Sequence, residues 1–136
     1  MSRVASLFDL AGKRALITGG NSGIGAAMAR ALGLAGARVL LVARRETELN
    51  AQAQQLRSEG IEADTLSADL TNVTALRAAA QRAGDIDILV NAAGTNLRQP
   101  FAEVTPEAWQ SQLALHLGAP FFLTQVLAPV MAARGW

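Results

Sequence analysis

Thr18-Gly19-Gly20-Asn21-Ser22-Gly23-Ile24-Gly25 follows directly on the apolar run Ala15-Leu16-Ile17. After it, Ile24, Ala27, Met28, Ala31, Leu32 and Ala35 recur at helical spacing until Gly36 stops the helix. A short strand, a glycine turn and a helix in immediate succession form a phosphate-binding arrangement. Gly19 permits the sharp turn off the strand, and Gly23 lets a pyrophosphate approach the backbone with no Cβ in the way. Gly25 allows the helix to lie close to the sheet. The helix N-terminus then offers unpaired N–H groups and the positive end of its dipole to an anion. The alternative reading is a plain glycine-rich turn, and what decides between them is the strand before and the helix after.

Working outward, the same alternation continues along the chain. Val39 to Ala43 is a second continuous apolar run, and Leu49, Ala53 and Leu56 mark a second helix that closes near Gly60. Ile61 to Leu66 predicts a third, weaker strand, and Val73, Leu76 and Ala80 a third helix ending at Gly84. Ile86, Ile88, Leu89 and Val90 predict the fourth strand. Thr105 can cap a last helix with Pro106 as its first residue, running to about Arg134 and bent at Pro120 and Pro129. Continuously apolar strands alternating with helices predict a parallel sheet covered on both faces. The expected fold is α/β, a Rossmann-type doubly wound sheet in the order 3-2-1-4, with a ligand crevice between strands 1 and 4. Residues 1–136 read as one such domain, incomplete after the fourth strand and the helix that follows it.

Composition narrows the function classes. The 12 basic and 11 acidic residues nearly cancel, which leaves no electrostatic footprint for nucleic acid or a membrane surface. Cysteine is absent, so disulfides and thiolate metal sites are excluded, and one His without paired carboxylates builds no metal site. Residues 108–133 carry no Asp, Glu, Lys or Arg, yet they hold Gln110, Ser111, Gln112, His116, Gln125 and two prolines. A buried helix fits them better than a membrane span. No signal-type apolar stretch opens the chain, and a soluble cytoplasmic protein is expected.

The T-G-x-x-x-G-x-G spacing of Thr18 to Gly25, taken with Asn91-Ala92-Ala93-Gly94 at the end of the fourth strand, resembles the classical short-chain dehydrogenase/reductase family. The resemblance covers the whole chain and its order of elements. It implies an oxidoreductase that transfers hydride between a nicotinamide cofactor and a secondary alcohol or ketone. It further implies that Thr18, Gly19, Asn21, Ser22, Gly23, Ile24 and Gly25 form the pyrophosphate loop, that Asn91, Ala92, Ala93 and Gly94 floor the cofactor site, and that Asp69 with Leu70 meets the adenine ring. Taken alone, Asp69 is a helix-entry residue. An NAD enzyme places an acidic residue at the end of strand two to accept from the ribose 2′-OH. Here Ala43 is followed by Arg44 and Arg45, and Arg44 stands where NADP-preferring members place a base. A guanidinium suits a 2′-phosphate through its planar fork of donors, so NADP is the expected cofactor and NAD the alternative. The competing reading is two surface arginines at a helix start.

The family's proton donor is a Tyr whose pKa is lowered by a Lys four residues on, with a Ser orienting the substrate. The chain has no Tyr, and its only Lys, Lys13, falls at the wrong end of the sheet. The one covered position of that catalytic group departs from the pattern: His116 stands where relatives carry an Asn that organises a proton relay. His116 can donate and accept and is the single catalytic candidate, against the alternative of a buried His satisfied by backbone. The loop Gly94-Thr95-Asn96-Leu97-Arg98-Gln99-Pro100 resembles the gluconate dehydrogenase branch of the family, and otherwise reads as a polar surface loop. Three readings stay open: the front half of such an enzyme, a non-catalytic nucleotide-binding module, or one chain of a split enzyme. An exposed strand-four edge and the apolar last helix predict a homo-oligomer.

Overall fold

A computed structural model describes residues 3–136. A short helix α1 (Arg3–Leu7) precedes β1 (Arg14–Thr18), α2 (Gly23–Leu34), β2 (Arg38–Ala43) and α3 (Glu46–Ser58). There follow β3 (Ala63–Ser67), α4 (Val73–Ala83), β4 (Ile88–Asn91), α5 (Pro106–Leu113) and α6 (Ala119–Arg134). The sheet has four strands in the order β3-β2-β1-β4, and every pairing is parallel. That is the α/β arrangement expected from the alternation of elements.

The two faces of the sheet explain why Ala15 to Ile17 of β1 and Val39 to Ala43 of β2 are apolar throughout. Side chains alternate across a strand, so Leu16, Leu40, Val42 and Leu66 join one core with α4 and α6. Ala15, Ile17, Val39 and Leu41 join the other, with Ala29 of α2 and Leu49, Ala53 and Leu56 of α3. Neither face meets water, and strict apolar-polar alternation is therefore absent.

Two strand boundaries shift from expectation. β3 begins at Ala63 because that is where pairing with Val39 of β2 begins. Ile61 belongs to the turn after α3, its N–H donating to Leu56 O at 3.1 Å. β4 begins at Ile88, while Ile86 is buried below it in the α4 core. Asp87, between them, is buried, accepts from Arg14 N at 2.9 Å and forms an ion pair with Arg134 Nη2 at 2.9 Å. One carboxylate thus joins the start of β1 to the end of the last helix.

The last helix also departs from expectation. Thr105 caps it as predicted, accepting from Ala108 N at 3.1 Å with Pro106 in the first turn. Between α5 and α6, residues Ala114–Gly118 form a π turn in which Ala119 N–H reaches back to Ala114 O. Pro120, which has no N–H to donate, follows immediately. The irregularity therefore precedes the proline and widens the helix around His116. The stretch Pro106–Arg134 is long and apolar enough to cross a membrane, but Ala119, Leu123 and Leu127 are buried against α4 and the sheet. Trp109, Leu113, Leu117, Phe121 and Val130 are exposed, so the core-facing side is narrower than the run of apolar residues suggests.

Candidate functional site

The glycine turn after β1 and the turn after β4 lie side by side because β1 and β4 are neighbours, with Thr18 paired to Asn91. Around them opens a cleft of about 570 Å³ at the carboxyl ends of the strands. Gly19, Asn21, Ser22, Gly23, Ile24 and Gly25 form one wall. Arg44 and Arg45 from the end of β2, and Asp69 and Leu70 from the end of β3, form a second. Ala92, Ala93 and Gly94 close the floor. Residues dispersed from Gly19 to Gly94 thus face a single space.

Each glycine of the first turn answers a different constraint. Gly19 has φ +65°, and a Cβ on it would stand 2.8 Å from Ala93 Cα. Gly25 lies against Gly19, where a Cβ would meet the Gly19 carbonyl oxygen at 2.2 Å. Gly23 has φ +55° with nothing within 4 Å of a Cβ, so that side faces the open cleft. Two of the three are needed by the fold itself, and the third leaves room for a ligand.

Two predicted residues have their side chains elsewhere. Thr18 is buried, and its Oγ1 accepts from Ala92 N and Ala93 N, each at 3.1 Å. The hydroxyl bonds the end of β1 to the turn after β4 and supports the cleft without lining it. Asn91 ends β4 on the exposed edge and lies outside the cleft wall.

His116 is outside the cleft wall as well. Its residue is exposed, which corrects the reading of a buried His, although backbone does satisfy it: Nε2 lies 2.8 Å from Thr95 O and 3.3 Å from Thr95 N. The ring also rests on Gly94, where a Cβ would stand 2.8 Å from Cε1. The π turn projects the ring onto the loop that leaves the floor of the cleft.

The polar groups at the mouth differ in how they are held. Asp69 Oδ1 accepts from Thr71 N at 3.0 Å and Thr71 Oγ1 at 2.7 Å. The Thr71 side-chain bond, then the backbone bond, hold the Asp69 carboxyl below its ordinary pKa, with a smaller contribution from the Arg44 charge. Arg45 pairs with Glu48 at 2.5 Å, whereas the Arg44 guanidinium has no hydrogen-bond or ion-pair partner among the described residues, its backbone carbonyl alone accepting from Ser67 Oγ at 3.0 Å. The sequence reading missed Thr71, Ser111 and Leu115, which also line the cleft. Ser111 and Leu115 stand four apart on the last helix, a spacing that signals one face but not which object it faces. No group of three or more His, Cys, Asp or Glu suited to a metal occurs among the described residues.

Comparison with known proteins agrees with this architecture. The family model for the short chain dehydrogenase matches residues 13–136, and the chain belongs to that family. A fatty acyl-CoA reductase of Mycobacterium tuberculosis is 42% identical over 134 residues, covering 93% of this chain and 45% of the relative. Gluconate 5-dehydrogenase of Gluconobacter oxydans is 35% identical over 133 residues, covering 95% of this chain and 52% of the relative. Among solved structures, a 3-oxoacyl-(acyl-carrier-protein) reductase from Agrobacterium tumefaciens with NADP bound superposes with a TM-score of 0.92 at 35% identity. That superposition covers 98% of this chain and 53% of the reductase. The chain therefore spans about half the length of the relatives it matches.

Proposed function

We propose that residues 1–136 are a dinucleotide-binding domain that takes NADP(H) in preference to NAD(H). In this reading the domain serves an oxidoreductase acting on a secondary alcohol or ketone. The observation that carries it is the convergence of the Gly19–Gly25 turn, the Ala92–Gly94 turn and the unpaired Arg44 on one cleft. The cleft fits the cofactor in kind: open space beside Gly23, free N–H groups at the start of α2, and a guanidinium at the end of β2. Gly19, Asn21, Ser22, Gly23, Ile24 and Gly25 would hold the pyrophosphate. Arg44 would meet the 2′-phosphate, Asp69 and Leu70 the adenine, and Ala92 to Gly94 the floor beneath the nicotinamide half. Thr18 and Asn91 would serve the site through the strand ends they terminate. The NADP in the Agrobacterium reductase supports this choice of cofactor.

The bound cofactor would supply or accept a hydride; this chain's own residues bind and orient it. The accompanying proton needs a positioned acid or base, a contribution worth about 10²- to 10⁴-fold. With no Tyr in the sequence, we assign these residues the binding role and not the proton step. His116 would act by holding the loop at Thr95. A homo-oligomer formed through the exposed stripe of the last helix, and a cytoplasmic location for a chain without cysteine, complete the proposal.

The deciding experiment is calorimetric titration with NADPH and NADH. NADPH should bind more tightly, and Arg44→Asp should reduce or reverse the preference. Equal affinities that the substitution leaves unchanged would remove the assignment of Arg44.

A further inference from the structure

Three polar side chains meet between the glycine turn and the first turn of α3. Glu48 Oε2 accepts from Asn21 Nδ2 at 2.9 Å, and Glu48 Oε1 pairs with Arg45 Nη1 at 2.5 Å. Asn21 and Arg45 both line the cleft, and Glu48 stands behind them. A single carboxylate therefore ties the loop assigned to the pyrophosphate to the arginine pair at the end of β2.

The consequence is an asymmetry between two adjacent arginines. Arg44 keeps its guanidinium free of hydrogen bonds and ion pairs among the described residues, while Arg45 is matched by an acidic partner. A guanidinium binds a phosphate best when its fork of N–H donors is available, and a carboxylate beside it competes for those donors. The same carboxylate repels an arriving dianion. The Arg45–Glu48 pair is exposed at 68% and 41%, so it is screened by water and exchangeable and does not lock the fold.

We propose that Glu48 is a specificity-determining residue of the cofactor cleft: it withholds Arg45, leaves Arg44 to read a ribose 2′-phosphate alone, and so moderates the preference for NADP(H). This rests on the cofactor reading above. Glu48→Gln is the informative change, because the amide oxygen can still accept from Asn21 while the charge that holds Arg45 is gone.

The test is calorimetric titration of the protein with NADPH and NADH, which differ only in the 2′-phosphate, for wild type, Glu48→Gln, Arg45→Ala and the double variant. Glu48→Gln should tighten NADPH by about three- to tenfold, diminishing as salt rises, with NADH changed by less than about twofold. Arg45→Ala should change NADPH affinity little in the wild type but remove most of the gain in the Glu48→Gln background. A Glu48→Gln protein that weakens both cofactors equally makes Glu48 a loop brace and overturns the proposal. So does an Arg45→Ala effect that is the same in both backgrounds. Wild type that binds neither dinucleotide defeats the cofactor reading and takes this inference with it. Wild type that binds both, with no selective gain in Glu48→Gln, defeats the inference alone.

Discussion

The His116 ring lies against Gly94 so closely that a Cβ on Gly94 would stand 2.8 Å from His116 Cε1. The imidazole reaches Thr95 O at 2.8 Å only because nothing projects from Gly94. Gly94→Ala should therefore displace the ring and break that bond, lowering stability by about 1–2 kcal/mol. His116→Ala should make the Gly94→Ala change nearly neutral. Urea unfolding of the two single variants and the double variant measures the coupling, and additive effects would show that the contact is slack.

Gly25 and Gly23 should fail in different ways. A Cβ on Gly25 meets the Gly19 backbone at 2.2 Å, so Gly25→Ala should cost about 1–3 kcal/mol of stability, read from the denaturation midpoint. Gly23→Ala meets no atom but keeps φ +55°, and should cost about 1–2 kcal/mol. Its larger effect should be lost dinucleotide binding, because the methyl group stands in the cleft.

Thr18→Val should destabilise the protein without touching the cleft wall. It leaves Ala92 N and Ala93 N without their shared acceptor, a loss of about 1–3 kcal/mol. Thr18→Ser, which restores the acceptor, should recover most of it. Equal stability for Val and Ser would mean that water replaces the hydroxyl.

Asp69 should titrate below the ordinary aspartate range, and Thr71→Val should raise its midpoint by removing the hydroxyl donor. The sign follows from the depressed folded-state value. The contribution to stability is present above the unfolded aspartate pKa and is lost as pH falls through the lower folded one. Carboxyl NMR titration reads both midpoints; an unchanged Asp69 midpoint in Thr71→Val would remove Thr71 as the cause.

The last helix carries Trp109, Leu113, Leu117 and Phe121 at four-residue spacing, all exposed, with Phe121 at 61%. Among the described residues, β4 pairs only with β1. Light-scattering chromatography at micromolar concentration should show a dimer or larger assembly, and Leu117→Glu with Phe121→Glu should shift it toward monomer. A sharp monomer peak for the unsubstituted protein would refute this.

What the sequence determined by itself was local and periodic. Ala15 to Ile17 running into a glycine turn, and the apolar run Val39 to Ala43, were sufficient for two buried strands, because a sheet covered on both faces buries successive side chains on either side. Thr105-Pro106 announced its helix start because capping is chemistry between neighbours. The tertiary structure decided what depends on distant partners. β3 starts at Ala63 because Val39 is there to pair with it, and Thr18 turns inward because two N–H groups of the β4 turn need an acceptor. Ser111 and Leu115 became cleft residues only when the last helix docked on α4. The two arginines that look equivalent in sequence were separated by Glu48, three residues beyond Arg45, through a bond that also reaches back to Asn21. Hydrophobic period and glycine spacing are written along the chain; a hydrogen bond's choice among partners is made only once the chain has brought them together.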